Sequence, residues 1–118
     1  MKFALLLLIL YRKIKRAART NSSYQRYIRT MQTRILIKTA DGKTARLYAF
    51  DRGKVSSRRG DGRDVAAALV WSDGATAFRV MRSAGEEASF QAAAQGKMKI
   101  EGQPLFVQWF INGVKMIR

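Results

Sequence analysis

The stretch GKMKIEGQPLFVQWF, Gly96 to Phe110, joins two segments of opposite character. Between Gly96 and Gly102 the chain alternates. Met98 and Ile100 share one side of an extended strand, and Lys97, Lys99 and Glu101 share the other. This period predicts a strand bounded by glycine turns. From Leu105 the chain is apolar with little relief, through Phe106, Val107, Trp109, Phe110 and Ile111. Two readings of this second segment compete. Asn112-Gly113 between apolar runs is a signal for a type I′ hairpin. Pro104 suits the first turn of a helix, and Gly113 suits the position just past its end. Gln108 and Asn112, four apart, would share a helical face. Local signals divide evenly. A helix this apolar must be buried on both sides. Leaving Phe106, Trp109 and Phe110 in water would forgo about 1.5–3 kcal/mol each. A sheet covers one side; a ligand, a membrane, a second subunit or the amino-terminal segment must cover the other.

Upstream, the pattern is largely strand-like. RILIKTA (Arg34–Ala40) is rich in β-branched residues, and Asp41-Gly42 is a hairpin signal. KTARLYAFD returns with Ala45, Leu47 and Ala49 on one face and Arg46, Tyr48 and Phe50 on the other. Arg52-Gly53 turns again into KVSSRR, a polar strand fit for a sheet edge. GDGRD (Gly60–Asp64) is a loop whose acids lack the spacing of a calcium site. DVAAALVW (Asp64–Trp71) reads as a fourth strand, continuing the hairpin series. Ser72 or Asp73 can cap a helix whose apolar face is Ala77, Phe78, Val80 and Met81. A second short helix, EEASFQAAAQ, ends at Gly96. The order predicts an α+β fold: a five-stranded, mostly antiparallel sheet with helices packed on one face, plus an amino-terminal basic and apolar helix.

That amino-terminal arm, residues 1–22, is set apart from a globular domain at 23–118 by composition. The chain of 118 residues carries a net charge of +15, yet residues 1–40 hold ten Lys or Arg and no acid. Phe3 to Tyr11 is an unbroken run of nine apolar residues, less than half of the ~20 needed to span a bilayer. A secretory signal is opposed by the cluster Arg12, Lys13, Lys15, Arg16 and Arg19 that follows. An apolar plug beside a basic cluster predicts a helix lying in the membrane interface. Leu6, Leu7, Arg12, Lys13, Lys15 and Arg16 are its expected contacts with an anionic surface. Packing of Leu5–Leu10 on the domain itself, or on a second copy, is the competing reading. Ser22 or Ser23 then caps a helix of about ten residues with Tyr24, Tyr27, Ile28 and Met31 inward and Arg26 and Arg29 outward.

There is no histidine and no cysteine. Ser-His-Asp and Cys-His catalysis, disulfides and the commonest metal ligand are thereby excluded. The acids Asp73, Glu86, Glu87 and Glu101 mostly stand where helix starts want them, and no catalytic carboxylate pair is apparent.

The second half resembles the sterol carrier protein type 2 lipid-binding family. The resemblance rests on ILIKTADGKTARLYAFDRGKV, DVAAALVWSDGATAFRVMRS and AAAQGKMKIEGQPLFVQWF, and most on Gly96-Lys97-Met98-Lys99-Ile100-Glu101-Gly102. It covers about residues 24–117. It implies helices over one face of a five-stranded sheet, an apolar tunnel between them for fatty acyl, acyl-coenzyme A or sterol-like lipids, no catalysis, and a helix at Pro104–Ile111. The Leu-rich arm is not expected from the family, and the helical segment between Trp71 and Gly96 is short, with Gly74 and Gly85 inside it.

The expected tunnel residues are Phe78, Met81, Phe90, Met98, Ile100, Phe106, Trp109 and Phe110. The expected function is non-enzymatic binding or transfer of a lipid, fatty acyl or sterol- or isoprenoid-like, without cofactor or metal. The expected location is cytoplasmic and peripheral at a membrane. An adaptor role, docking a protein partner or a second copy through the same apolar surface, is the alternative. Nucleic-acid binding through the basic arm ranks below both.

Overall fold

The computed structural model describes residues 2–62, 64–82 and 95–117. Two helices lead, α1 (Lys2–Thr20) and α2 (Ser22–Ile28). Four strands follow: β1 (Gln32–Thr39), β2 (Ala45–Asp51), β3 (Lys54–Arg59) and β4 (Ala67–Trp71). Then come α3 (Gly74–Arg82), β5 (Met98–Gly102) and α4 (Pro104–Ile117). The predicted helix EEASFQAAAQ, except its last residue Gln95, and tunnel residue Phe90 lie outside the described residues.

The strands form one sheet in the order β3-β2-β1-β4-β5. Three pairings are antiparallel, but β4 runs parallel to β1. The expected run of hairpins therefore stops at β3. The reason is burial. All five residues of β4 are buried, so it must lie inside the sheet, whereas the polar β3 belongs at the edge. The connection crosses the outer face to reach that place. A Cβ added to Gly62 would sit 4.0 Å from Leu47 Cδ2, Lys38 meets Asp61 at 3.4 Å, and the Ala66 N–H donates to Arg34 O at 3.0 Å. Beneath it Leu36, Leu47, Ala68 and Val70 form a small buried cluster.

The main core lies on the other face, where Ile35, Ile37, Tyr48, Phe50, Leu69 and Trp71 meet the helices. Here α1 is not a free arm. Phe3, Leu7, Ile14 and Ala17 are buried in this same core. With half-buried Leu10 they repeat at intervals of four and three, one stripe of a helix. The buried Tyr48 hydroxyl donates to Leu7 O at 2.7 Å, and Lys15 Nζ donates to Val55 O at 3.0 Å. These two bonds fasten α1 across β2 and to edge strand β3. Burial pushes the Tyr48 phenol well above its ordinary value, so it stays neutral and hydrogen-bonded at any physiological pH.

One of the two helix caps differs from expectation. Asn21 caps α2, its side chain accepting from the Tyr24 N–H at 3.1 Å, and the helix spans seven residues rather than about ten. Of the two expected candidates, Ser72 and Asp73, it is Asp73 that caps α3, accepting from the Thr76 N–H at 2.7 Å and the Thr76 hydroxyl at 3.0 Å, and these bonds hold its carboxyl below the usual range.

Candidate functional site

The segment after β5 is a helix, and it runs beyond Asn112-Gly113 to Ile117. The hairpin reading fails for a tertiary reason. Gly113 is buried, and a Cβ there would stand 3.0 Å from Tyr27 and 3.3 Å from Tyr24. The glycine serves close approach of α4 to α2 rather than a turn.

Two of the three aromatic residues of α4 are wedged against other rings. Trp109 stacks on Tyr27 with centroids 5.4 Å apart and an interplanar angle of 6°, and meets Phe50 edge-on at 4.9 Å. The Tyr27 hydroxyl donates to Trp109 O at 2.7 Å. Phe110 is 5% exposed and packs on Tyr48 at 5.3 Å and Phe50 at 6.0 Å. Trp109 and Phe110, expected to line a tunnel, are thus engaged in ring-to-ring packing. Their partners Tyr27, Tyr48 and Phe50 were not among the expected site residues, although the inward alternation of Tyr48 and Phe50 on β2 could have pointed to two of them.

Of the other expected residues, Met98 and Ile100 lie on β5 and Phe106 follows on α4, while Phe78 and Met81 lie on α3. Register turns Met98 and Ile100 inward beside Trp71 and Leu69. Met98 is half-buried, but Ile100 remains 39% exposed. Phe106 is half-buried on α4, and Leu105 before it is 76% exposed. Phe78 and Met81 are half-buried on α3, with Lys2 Nζ 6.0 Å from the Phe78 ring centroid. Trp71 is fully buried, and its Nε1 has no hydrogen-bond partner among the described residues. The structure brings Met98, Ile100 and Phe106 onto consecutive elements at the sheet's β5 edge. Trp109 and Phe110 follow Phe106 by one helical turn in the same apolar cluster, and their ring partners come from α2 and β2.

Of the six residues expected at a membrane, Leu7 is in the core and Leu6 is half-buried against it. Arg12, Lys13, Lys15 and Arg16 are exposed. The outward apolar residues of α1 are instead Leu5, 57% exposed, and Ile9, 41% exposed. The stripe of inward residues from Phe3 to Ala17 was the signal that would have placed them. No helix among the described residues is long and apolar enough to cross a membrane.

No family model matches the sequence, and no curated protein matches it. Solved structures do match. One described as UbiJ-SCP2, a ubiquinone synthesis protein, superposes with a TM-score of 0.69 at 10% identity, over 98% of this chain and 95% of that one. A crystal structure of sterol carrier protein 2 gives 0.61 at 12% identity, over 92% of this chain and 90% of that one. The fold is that of the sterol carrier protein 2 domain. A third match, palmitated SCP2L2 from Aedes aegypti, gives 0.54 at 16% identity, over 89% of this chain and 90% of that one. The first match leaves no room for α1 to fall outside it, so the leading helix belongs to this SCP2 architecture. The departure read from its composition is one of sequence, not of shape.

Proposed function

We propose that this SCP2-fold domain binds a hydrophobic lipid chain without chemical conversion, at the β5 side of its helix-bearing face. The carrying observation is Ile100, which register turns inward but which remains 39% exposed. Such a position is apolar surface that the domain does not hide for itself. Met98 and Phe106 extend that surface, and Phe78 and Met81 supply half-buried apolar area on α3. Met and aromatic side chains adapt to a flexible chain. The ring stack of Trp109 and Phe110 with Tyr27, Tyr48 and Phe50 packs the inner side of α4 next to that surface.

A non-catalytic role suits the acids. Asp73 is committed to its cap and Glu101 faces Lys99 on the outer side of β5 at 3.7 Å. Membrane association is proposed through the outward stripe of α1, Leu5 and Ile9 followed by Arg12, Lys13 and Arg16.

A second reading is favoured by the dense packing under α4, which leaves less room for an enclosed chain. In it the same apolar surface docks another protein. Native mass spectrometry of gently purified protein separates the two. Added mass of a fatty acyl or isoprenoid size supports lipid binding, and Ile100→Glu should abolish it. Lipid-free protein in which the emission of Trp71, the register partner of Met98, read in a Trp109→Phe variant, ignores added palmitate would overturn the carrier reading.

A further inference from the structure

A cleft of about 420 Å³ opens between α2 and the β2–β3 turn, lined by Ser22, Gln25, Arg26, Arg29 and Gly53. Its walls follow from local structure. Asn21 takes the capping role, so the Ser22 hydroxyl is left to the cleft. Arg26 and Arg29, three apart, lie on one face of α2. The turn is drawn toward that helix, because the Arg52 N–H donates to Met31 O at 2.9 Å. A Cβ added to Gly53 would stand 3.9 Å from the Arg29 Cα.

The chemistry of this lining is one-sided. It offers a hydroxyl, a carboxamide whose Nε2 also donates to Ala18 O at 3.1 Å, two guanidinium forks, and no carboxylate. Among the described residues the ion pairs are Lys38–Asp61 and Lys99–Glu101, so neither arginine has an acidic partner. Arg26 donates only a long bond of 3.5 Å to Ser23 Oγ. Two like charges on neighbouring turns repel, and an anion between them removes that repulsion. Guanidinium forks match phosphate oxygens in a bidentate manner. A carboxylate that fills one fork in a bidentate manner must share the same two oxygens with the second, whereas a terminal phosphate has a third oxygen and a second negative charge for it.

We propose that this cleft binds a terminal phosphate group carrying close to two negative charges, a phosphate monoester or pyrophosphate. The group belongs either to a lipid headgroup or to a soluble phosphate compound. The site is separate from the apolar surface at β5 and stands whether or not a lipid chain is held there.

The test uses the full chain. Inorganic pyrophosphate is titrated while backbone amide shifts are followed, and Ser22, Gln25 and Gly53 are expected to move first. R26Q/R29Q should weaken pyrophosphate binding at least tenfold. The control R34Q/K43Q removes the same charge from exposed positions elsewhere and should weaken it no more than twofold. Unchanged thermal melts of both doubles keep the comparison clean. A second arm compares vesicles containing phosphatidic acid with vesicles containing phosphatidylglycerol at equal charge. Tighter, R26Q/R29Q-sensitive binding to phosphatidic acid identifies a headgroup; pyrophosphate binding with no such preference identifies a soluble phosphate. Equal losses in the two doubles, or shifts spread evenly over the basic surface, would overturn the site.

Discussion

Gly96 and Gly102 bound the strand on which the sequence reading turned, and both hold positive φ angles, 72° and 80°. Their surroundings differ. A Cβ on Gly96 would meet open space, while one on Gly102 would stand 2.5 Å from Ala66 O and 3.0 Å from Ala67 Cα. The end of β5 is pressed against the start of β4, where backbone cannot yield. Gly96→Ala is therefore expected to cost only the left-handed strain, about 1 kcal/mol. Gly102→Ala adds a backbone clash and should cost about 2–4 kcal/mol. Urea midpoints of the two variants measure the difference, and equal costs would show that the close approach is not tight. The glycines themselves were legible as turn residues. That one of them is also a packing residue was not, because the Ala66 carbonyl is some thirty-six positions away in the chain.

At the scale of elements, strands were easier to read than helices. Alternation reports which side chain faces which way, so the inward set of β2 and β5 follows from the residues alone. Two elements escaped. The partner of β4 was misjudged because a strand buried on both faces shows no alternation and gives no hint of its neighbours. Composition, apolar then basic, points to an interfacial arm, whereas the spacing from Phe3 to Ala17 marks a buried stripe. The helix supplies four buried side chains and two fastening bonds, which makes it part of the core. Deleting residues 2–20 should consequently expose the inner face of the sheet. The expected product binds a hydrophobic dye and lacks a cooperative melt. A truncated protein that melts cooperatively, within a few degrees of the full chain, would return α1 to the status of a detachable anchor.

Over the whole molecule, the +15 charge and the outward apolar residues decide how it meets other surfaces. Leu5 and Ile9 are exposed, so Leu5→Ser and Ile9→Ser together should leave the melting temperature nearly unchanged. The same pair should lower partition to anionic vesicles, because each inserted side chain is worth about 1.5 kcal/mol or more. Arg12→Gln with Arg16→Gln should lower it by about 1 kcal/mol per charge, roughly fivefold each, and should flatten its dependence on salt. Vesicle sedimentation at two salt concentrations reads both effects. Losses confined to the arginine pair would make the association purely electrostatic and remove insertion from the account.

The sequence by itself determined the class of fold, the alternation of β2 and β5, the turns at Asp41-Gly42 and Arg52-Gly53, and a cap at Ser72 or Asp73. These depend on neighbours within a few residues. It also located the apolar excess near the carboxy terminus. What covers that excess was decided only in three dimensions, where α1 and the tyrosines of α2 fill the space above the sheet and leave unhidden apolar surface at β5. Local patterns record how oily a face is, but which distant segment buries it depends on the total area each candidate can remove from water. That sum is settled by the packed chain and not by any stretch of it.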